Sequence, residues 1–322
     1  MNAVVGTGVT IQVRFRGCLL GLAIGDALGG PVEFTTREAI LTKYGKPLRE
    51  MVGGGWLRLG KGETTDDTAM ARMLAESLLH CGGVDAADIA RRYVAWMQSN
   101  PPDIGSITRA ALNGFRAGLS VPNAALGAHR QLAGKSAGNG TIMRCAPIAL
   151  RYAYDERRLI DASRDEALIT HFDPLAWTGS IAVNLLISRL LHAVPLRDAI
   201  KDVAYRIRRL PKAACDIADV FERARGDVDG RLLPTSGFVL DTLRIALWAL
   251  LGNPNLEEAI VAAVNQGGDA DTQGAVTGAL AGALYGVEAI PARWLEVLQE
   301  RELLRDLADQ LLVAAEYRRV VV

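Results

Sequence analysis

Two short acidic clusters stand far apart in the sequence, each where a loop is expected to run into a helix. They are Thr65-Asp66-Asp67-Thr68 and Gly267-Gly268-Asp269-Ala270-Asp271-Thr272. Aspartates this close repel one another, so a fold that buries them needs compensating positive charge. Carboxylate and hydroxyl oxygens are the ligands that Mg²⁺ and Mn²⁺ prefer. The four aspartates carry a charge that balances two divalent cations, so the clusters predict a fold that closes a two-metal site.

Each cluster also has a plainer interpretation when it is taken alone. Thr65 fits the N-cap of a helix with Asp66 and Asp67 in its first turn, and Asp269 fits a glycine-rich turn before a helix that starts near Thr272. Adjacent helical residues point about 100° apart, so Asp66 and Asp67 cannot chelate one ion as a flat pair. They can address two neighbouring ions. The presence of both clusters in one chain favours the metal site over two separate caps.

Helical periodicity dominates the rest of the chain and predicts an all-α fold. Residues Phe15–Leu28 are small and apolar with glycines, which indicates a closely packed buried helix. Further helices are predicted over Thr36–Tyr44, Asp66–Leu79, Val84–Met97, Thr108–Gly118, Ala146–Tyr154, Pro174–His192, Leu196–Arg208, Ser236–Leu251, Leu256–Asn265, Thr272–Tyr285 and Glu300–Glu316. Residues 211–235 are expected to form an exposed loop. We predict a flexible tail over residues 1–13 and a single domain over residues 14–322.

Composition narrows the functional class. The 36 basic and 36 acidic residues balance, which argues against a surface dedicated to nucleic acid or to an anionic membrane. The four cysteines are widely spaced and the histidines are few, so neither a disulfide framework nor a zinc site is expected. Because no apolar run reaches membrane-spanning length and the N-terminus lacks a basic signal region, we expect a cytoplasmic protein without a membrane span.

Four other stretches carry polar groups in settings that suit a ligand. The turn at Gly138-Asn139-Gly140-Thr141 either presents backbone amides to a phosphate or ribose, or is only a structural turn. Glu33 follows a helix end in apolar surroundings. Asp103 follows two prolines and is either a helix cap or an exposed acid. His171 is either a ligand contact or a buried, hydrogen-bonded histidine.

Taken in order, these segments resemble the ADP-ribosylglycohydrolase family, most closely the bacterial dinitrogenase reductase-activating glycohydrolases. The resemblance rests on GCLLGLAIGDALGGPVEF (Gly17–Phe34), GGGWLRL (Gly53–Leu59), TTDDTAM (Thr64–Met70), PPDIG (Pro101–Gly105), AGNGTIMRCAP (Ala137–Pro147), THFDP (Thr170–Pro174), SGFVLDTL (Ser236–Leu243) and VNQGGDADTQGAVTGALAGALYG (Val264–Gly286). It covers roughly Arg14 to Trp294.

The resemblance implies a compact multi-helix orthogonal bundle with a dinuclear Mg²⁺ or Mn²⁺ centre. It also implies hydrolysis of the N-glycosidic bond between ADP-ribose and an arginine side chain, with dinitrogenase reductase or a toxin target as the modified protein. Carried over by position, the metal ligands would be Thr65, Asp66, Asp67, Asp269, Asp271 and Thr272. Glu33 would lie on a mobile segment near the metals, and the ADP-ribose cleft would be lined by Asp103, Gly138, Asn139, Gly140 and His171.

The catalytic residues are expected among Glu33, Asp66, Asp67 and Asp103. We expect Asp67, or a metal-bound water that it orients, to be the general base. The turn from Gly138 to Thr141 would position the pyrophosphate, and the ring of Phe172 or Trp56 could stack on adenine. Ser106 and Phe238 depart from the activating-glycohydrolase pattern, in which Asn and Tyr are common, and this leaves the target protein open.

Two other functions fit the same sequence. The first is a binding or immunity protein that neutralises an ADP-ribosylating toxin by contact, as well as or instead of hydrolysis. The second is hydrolysis of another ADP-ribose linkage, such as one to serine or to a nucleic-acid base. The intact set of aspartates favours catalysis over binding alone, since a protein without catalysis would be free to lose so unfavourable a cluster.

Overall fold

Sixteen α-helices run through residues 9–210 and 215–321, the part of the chain that this computed structural model describes. They are α1 Ile11–Gly29, α2 Arg37–Tyr44, α3 Asp66–His80, α4 Ala86–Gln98, α5 Ser106–Arg116, α6 Val121–Gln131, α7 Ala146–Arg151, α8 Glu156–Ala167, α9 Pro174–Leu191, α10 Leu196–Ile207, α11 Cys215–Glu222, α12 Val239–Gly252, α13 Leu256–Val264, α14 Ala270–Tyr285, α15 Ala292–Leu295 and α16 Arg301–Val321. Two-residue strands, β1 Thr35–Thr36 and β2 Gly267–Gly268, pair antiparallel. The predicted all-α fold is confirmed.

Helices α1 and α14 cross with their backbones in contact. Glycines recur at every fourth position on the facing sides, and the spacing places them on one face of each helix. We call this contact the glycine seam: Gly17, Gly21, Gly25 and Gly29 on α1, and Gly274, Gly278 and Gly282 on α14. A Cβ atom placed on Gly21 would lie 2.2 Å from the carbonyl oxygen of Gly278, and one on Gly278 would lie 1.9 Å from that of Gly21. The seam therefore exists only because both helices lack side chains there.

One hydrophobic core takes residues from α1 through α16. Helix α9 is long and apolar enough to cross a membrane by composition alone, but 78% of that stretch is buried inside the fold, as in the central helix of a globular protein. A core shared by both ends of the chain is what a single domain over residues 14–322 requires, and that organisation stays a prediction.

The structure differs from the sequence predictions in two places. Helix α1 begins at Ile11, with the Thr10 side chain accepting a hydrogen bond from the Val13 amide, so residues 11–13 are helical and not part of a tail. Residues 1–8 lie outside the described part. Helices α6, α8, α11 and the short α15 were not predicted, and α11 lies within the segment 211–235 that was expected to be a loop. Residues 211–214 of that segment also lie outside the described part.

Candidate metal centre and cleft

The first acidic cluster forms the N-terminus of α3. Thr65 is the N-cap, as predicted, and its Oγ1 accepts a hydrogen bond from the Asp67 amide at 3.4 Å. Asp66 and Asp67 occupy the first turn, where the partial positive charge of the helix end favours carboxylates. Both side chains are buried. The cluster is thus a helix cap and a buried pair of acids at once.

Asp26, within α1, holds this turn in place. Its carboxylate accepts hydrogen bonds from the Thr65 amide at 3.0 Å, from the Thr68 amide at 3.0 Å and from the Thr68 hydroxyl. Complete burial raises the pKa of Asp26 to about 6, although the hydrogen bonds from Thr68 and Thr65 act to lower it. Asp26 was not among the residues predicted for the site. A signal was present in the sequence, since Asp26 is the one charged residue in the apolar, glycine-rich stretch Gly17–Val32.

The second acidic cluster begins in a turn that only glycine can form. Gly267 and Gly268 have φ values of 75° and 65°, in the left-handed region that favours glycine. A Cβ on Gly267 would lie 2.3 Å from the Thr35 carbonyl oxygen. The Phe34 amide donates to the Gly268 carbonyl at 2.6 Å, which ties the segment carrying Glu33 to this turn. Helix α14 then starts at Ala270.

Hydrogen bonds between side chains join the two clusters directly. The Thr65 hydroxyl donates to Asp271 Oδ2 at 3.3 Å, and the Thr272 hydroxyl donates to Asp67 Oδ1 at 3.5 Å. The glycine seam brings the start of α14 beside the end of α1, and Asp26 fixes α3 to the same end of α1. The structure therefore brings together the six residues predicted as metal ligands, Thr65, Asp66, Asp67, Asp269, Asp271 and Thr272, all of them buried.

The charged form of the carboxyl groups at this site is unfavourable, because these groups are buried close to one another. We call the group formed by Glu33, Asp66, Asp67, Asp269 and Asp271 the acidic centre. Burial and the charge of Asp103 raise the pKa of Asp66 to about 8, and the same two causes raise that of Glu33 to about 8, against a hydrogen bond that lowers it. Burial and neighbouring carboxylates raise the pKa values of Asp67 and Asp271 well above the usual range.

The acidic centre fits a divalent cation. One carboxylate oxygen from each of Glu33, Asp269 and Asp271 lies within 4.8 Å of the other two. Asp67 Oδ2 is buried without a hydrogen-bond partner among the described residues. The donors are carboxylate and hydroxyl oxygens only, which suits hard cations such as Mg²⁺, Mn²⁺ or Ca²⁺. Glu33, predicted near the metals as a catalytic residue, has its carboxylate among these oxygens.

A cleft of about 360 Å³ opens over the acidic centre. The acids form one wall, and the turn at Gly138 with the ring of His171 forms another. Eleven of the predicted site residues line it: Glu33, Asp66, Asp67, Asp103, Gly138, Asn139, Gly140, His171, Asp269, Asp271 and Thr272. Among the acids that line the cleft, Asp103 alone is only partly buried. Burial raises its pKa, while a hydrogen bond from the Ile104 amide and the charge of Arg109 lower it.

The turn at Gly138 was predicted to offer its backbone amides to a phosphate or ribose, but part of it makes hydrogen bonds within the protein. The Asn139 amide donates to the Gly237 carbonyl at 3.0 Å, so this backbone N–H is not free for a phosphate. The Asn139 side chain donates to Asp269 Oδ2 and, at 2.9 Å, to the Thr242 hydroxyl. Asn139 thus orients one carboxylate of the acidic centre.

Thr141 does not belong to the cleft. Its side chain is fully buried, and its hydroxyl donates to the Ala176 carbonyl at 2.8 Å. The prediction that Thr141 helps to bind substrate is corrected accordingly, because its polar group joins the turn to α9.

Aromatic side chains stand beside the acids on the open side. Trp56 Nε1 donates to Glu33 Oε2 at 2.9 Å, and the Trp56 and Phe34 rings lie 5.8 Å apart. Phe34, which the sequence analysis missed, lines the cleft, is 67% exposed and has a φ of 55°. Phe172 instead packs near His129 and does not line the cleft. Of the two rings predicted to stack on adenine, Trp56 is the one that contacts the acidic centre.

The two positions that depart from the activating-glycohydrolase pattern both lie at this site. Ser106 starts α5 and lines the cleft. Phe238 precedes α12 and pairs with Gly138 through an antiparallel backbone bridge. Ser106 therefore belongs to the lining of the cleft and Phe238 stands beside the turn at Gly138, and neither is part of the acidic centre.

Comparison with known proteins gives one matching family model, several similar proteins and a similar solved structure. A family model described as ADP-ribosylglycohydrolase matches residues 7–320. The chain is 37% identical to an ADP-ribosyl-[dinitrogen reductase] glycohydrolase of Rhodospirillum rubrum, over 96% of this chain and 99% of that protein. It is 33% identical to ADP-ribosylarginine hydrolase Tri1 of Serratia proteamaculans, over 94% and 80%. A solved structure titled ADP-ribosylglycohydrolase-related protein complex superposes with a TM-score of 0.81 at 36% identity, over 95% of this chain and 99% of that one.

Proposed function

Since the chain belongs to the ADP-ribosylglycohydrolase family, we propose that it is a metal-dependent hydrolase that removes ADP-ribose from arginine side chains of modified proteins. One of its relatives is named as a glycohydrolase of ADP-ribosylated dinitrogen reductase, and another as a hydrolase of ADP-ribosylarginine. The substrate we assign is accordingly a mono-ADP-ribosylated protein.

One observation carries the proposal. Two acidic clusters that are far apart in the sequence converge, buried, on a cleft of about 360 Å³. A fold gains nothing in stability from such repulsion, since burial raises the pKa of every carboxyl group in the acidic centre. An arrangement that is unfavourable for folding and faces a cleft is typical of a functional site.

We infer that the ligands of two divalent cations, Mg²⁺ or Mn²⁺, are Thr65, Asp66, Asp67, Asp269, Asp271 and Thr272, with Glu33 close to the same oxygens. When bound, such cations neutralise the acidic centre, lower the pKa of coordinated water and bind sugar hydroxyls. The fit rests on the oxygen-only donor set and on the unpartnered Oδ2 of Asp67.

Two carboxyl groups of the chain carry out the two proton transfers of the reaction. Hydrolysis breaks the bond between the anomeric carbon and the guanidine nitrogen, and a water oxygen takes its place. We assign the general base to Asp67, or to a water that it orients, because this buried carboxylate lines the cleft. The departing guanidine takes up a proton, and we assign its delivery to Asp103, the acid of the cleft that is least enclosed. Asp66 stands nearby to stabilise positive charge at the anomeric carbon.

The opposite wall orients the nucleotide part of the substrate. Gly138 and Gly140 allow the ligand and the His171 ring to approach the backbone closely, and Asn139 keeps Asp269 in position. Trp56 and Phe34 offer exposed ring surface beside the acids. The free thiols Cys18, Cys81, Cys145 and Cys215 agree with work in a reducing compartment, and we propose the cytoplasm.

The test is release of ADP-ribose from arginine-linked and serine-linked ADP-ribosylated peptides, with Mn²⁺ or with a chelator, measured by mass spectrometry. We expect release from the arginine-linked peptide only with the cation, and a loss of roughly 10²–10³-fold in the Asp269→Asn variant. Asp161→Asn is the matched control, because this side chain is 56% exposed on α8 and should leave the rate unchanged.

Other results select other functions. Equal turnover of Asp269→Asn and the unaltered protein under saturating Mn²⁺ would contradict the ligand assignment. Preferential release from the serine-linked peptide would assign another linkage. Tight binding of an ADP-ribosylating toxin without release from either peptide would make the protein a contact inhibitor.

A further inference from the structure

A buried polar chain reaches the cleft wall from behind His171. Arg144 and Glu166 form an ion pair with both side chains fully buried, and Arg144 Nε donates to Glu166 Oε1 at 2.7 Å. Arg144 Nη2 donates to the Thr170 hydroxyl oxygen at 2.8 Å. That oxygen lies 2.8 Å from His171 Nδ1. Arg144, Glu166 and Thr170 do not line the cleft, so they are separate from the residues assigned above.

The hydrogens along this chain define the tautomer of His171. Arginine only donates hydrogen bonds, so the Thr170 oxygen must accept from Arg144. Thr170 is fully buried, and within residues 9–210 and 215–321 its hydroxyl has Arg144 and His171 as partners. The hydroxyl hydrogen is therefore satisfied only by donation to Nδ1. This makes Nδ1 an acceptor and puts the imidazole proton on Nε2.

The surroundings keep this ring neutral and the guanidinium charged. Burial, followed by the positive charge of Arg144, lowers the pKa of His171 to about 3. Burial is the largest influence on the pKa of Arg144 and lowers it, but the charge of Glu166, the charge of Tyr93 and the hydrogen bond to Glu166 together outweigh burial and raise the pKa. A neutral imidazole with its proton on Nε2 is the result near neutral pH.

The Nε2 end of the ring lies against the turn of the cleft wall. A Cβ on Gly138 would lie 3.3 Å from Nε2, and one on Gly140 would lie 3.2 Å from it. In the described part of the chain, no protein atom accepts a hydrogen bond from Nε2. The N–H is therefore left for an acceptor atom of a ligand in the cleft.

We propose that Arg144 and Thr170 are positioning residues that fix His171 as a neutral Nε2–H donor towards an oxygen acceptor of the bound ligand. Phosphate and ribose oxygens are the acceptors that an ADP-ribosyl group offers, so the identity of the ligand rests on the proposed function. The tautomer itself does not, since it follows from the buried hydrogen bonds alone.

The tautomer is read from ¹⁵N NMR spectra of the full-length protein labelled at histidine. The chain has four histidines, and the His171→Gln spectrum assigns the signals of His171. We expect one acceptor-type nitrogen at Nδ1 and one protonated nitrogen at Nε2. The Thr170→Val variant removes the hydroxyl at nearly constant shape, and its Nδ1 signal should move towards that of an acceptor without a hydrogen bond. Thr170→Ser retains the hydroxyl and should restore the original spectrum.

Binding of ADP-ribose in the presence of Mg²⁺, measured by calorimetry, gives the functional consequence. We expect Thr170→Val to weaken binding about tenfold and Thr170→Ser to change it less than about twofold. In the His171→Gln background, where the amide donates without help, Thr170→Val should have little further effect. Such a loss of coupling is not expected from a residue that only supports folding.

Two outcomes overturn the proposal. The first is a wild-type His171 that carries its proton on Nδ1. The second is a Thr170→Val variant with unchanged Nδ1 signal and unchanged affinity. A wild-type protein that does not bind ADP-ribose would contradict the proposed function, while the tautomer spectrum would still decide the positioning role.

Discussion

The glycine seam runs along the helix pair α1 and α14, the acidic centre lies at one end of that pair, and the two are opposite in character. The seam consists of backbone against backbone with no side chain between α1 and α14. The acidic centre consists of buried carboxylates that repel one another. The difference shows a division of tasks: close, unstrained packing holds two helices rigidly, and that rigidity maintains an electrostatically unfavourable group beside them. Changes in the first region should alter folding, and changes in the second should alter activity.

Breaking the seam should give the largest effect. In Gly278→Ala the new Cβ would lie 1.9 Å from the Gly21 carbonyl oxygen, so the helices must separate. We expect a loss of about 3 kcal/mol or more in the free energy of unfolding, measured by urea denaturation. Gly127→Ala in α6 is the control, since its nearest neighbour would be 4.0 Å away and alanine favours a helix by up to about 1 kcal/mol. Equal stability of the two variants would refute the seam.

Neutralising one acid should separate the two regions most clearly. Asp271→Asn keeps the shape of the side chain and removes one repelling charge. We expect the rate of ADP-ribose release to fall at least about a hundredfold, while the chelated protein becomes more stable to urea by about 1–2 kcal/mol. A variant that loses activity and stability together would indicate that Asp271 mainly supports the fold.

The pH dependence of stability should be reversed by cations. Glu33 and Asp66 have pKa values raised to about 8 in the folded protein, above the values near 4 expected in the unfolded chain. Between these values the folded state binds more protons, so the chelated protein should lose stability as pH rises from 6 to 8.

The measurement is the Tm by calorimetry at both pH values, with chelator and with Mn²⁺. We expect a Tm that is several degrees higher at pH 6 with chelator, where 1 kcal/mol corresponds to about 2–4 °C. Mn²⁺ should raise the Tm more at pH 8, because cation ligands must be deprotonated. A cation effect that is equal at both pH values would contradict the origin assigned to the shifts.

The smallest effect should come from the rim of the acidic centre. Trp56→Phe keeps an aromatic ring and removes the N–H that donates to Glu33. We expect kcat/KM to fall about three- to tenfold, the range for one lost hydrogen bond. Trp248→Phe is the matched control, because that indole donates to the Val228 carbonyl outside the cleft. A larger loss in the control would show that the effect is not local to Glu33.

The sequence predicted the features that depend on local chemistry. Thr65 as a cap with two acids behind it follows from the preference of helix N-termini for hydroxyl and carboxylate groups, and the structure agrees. The convergence of the two clusters followed from charge balance. Asp26 was not predicted because it holds a turn of α3 that lies 39 residues further along the chain. Only the tertiary structure shows that contact.

The missed helices have a related cause. Helix α8 buries Ser163 and Glu166 beside Leu159, Ala162 and Ala167, so two polar residues interrupt the apolar pattern of its inner face. Glu166 is tolerated there because Arg144 pairs with it, and that pairing is not visible in either segment alone. Thr141 was assigned wrongly for the same reason, because a turn beside a ligand and a turn beside α9 look alike in sequence.

Pairing α1 with α14 also governs when the molecule can assemble during synthesis. Helix α1 leaves the ribosome before its partner, which follows roughly 250 residues later, and at about 5–20 residues per second this takes roughly 13–50 s. During that interval the glycine-lined face of α1 has no α14 to pack against in the growing chain. The contact between α1 and α14 can therefore form only after α14 has been synthesised, late in the growth of the chain.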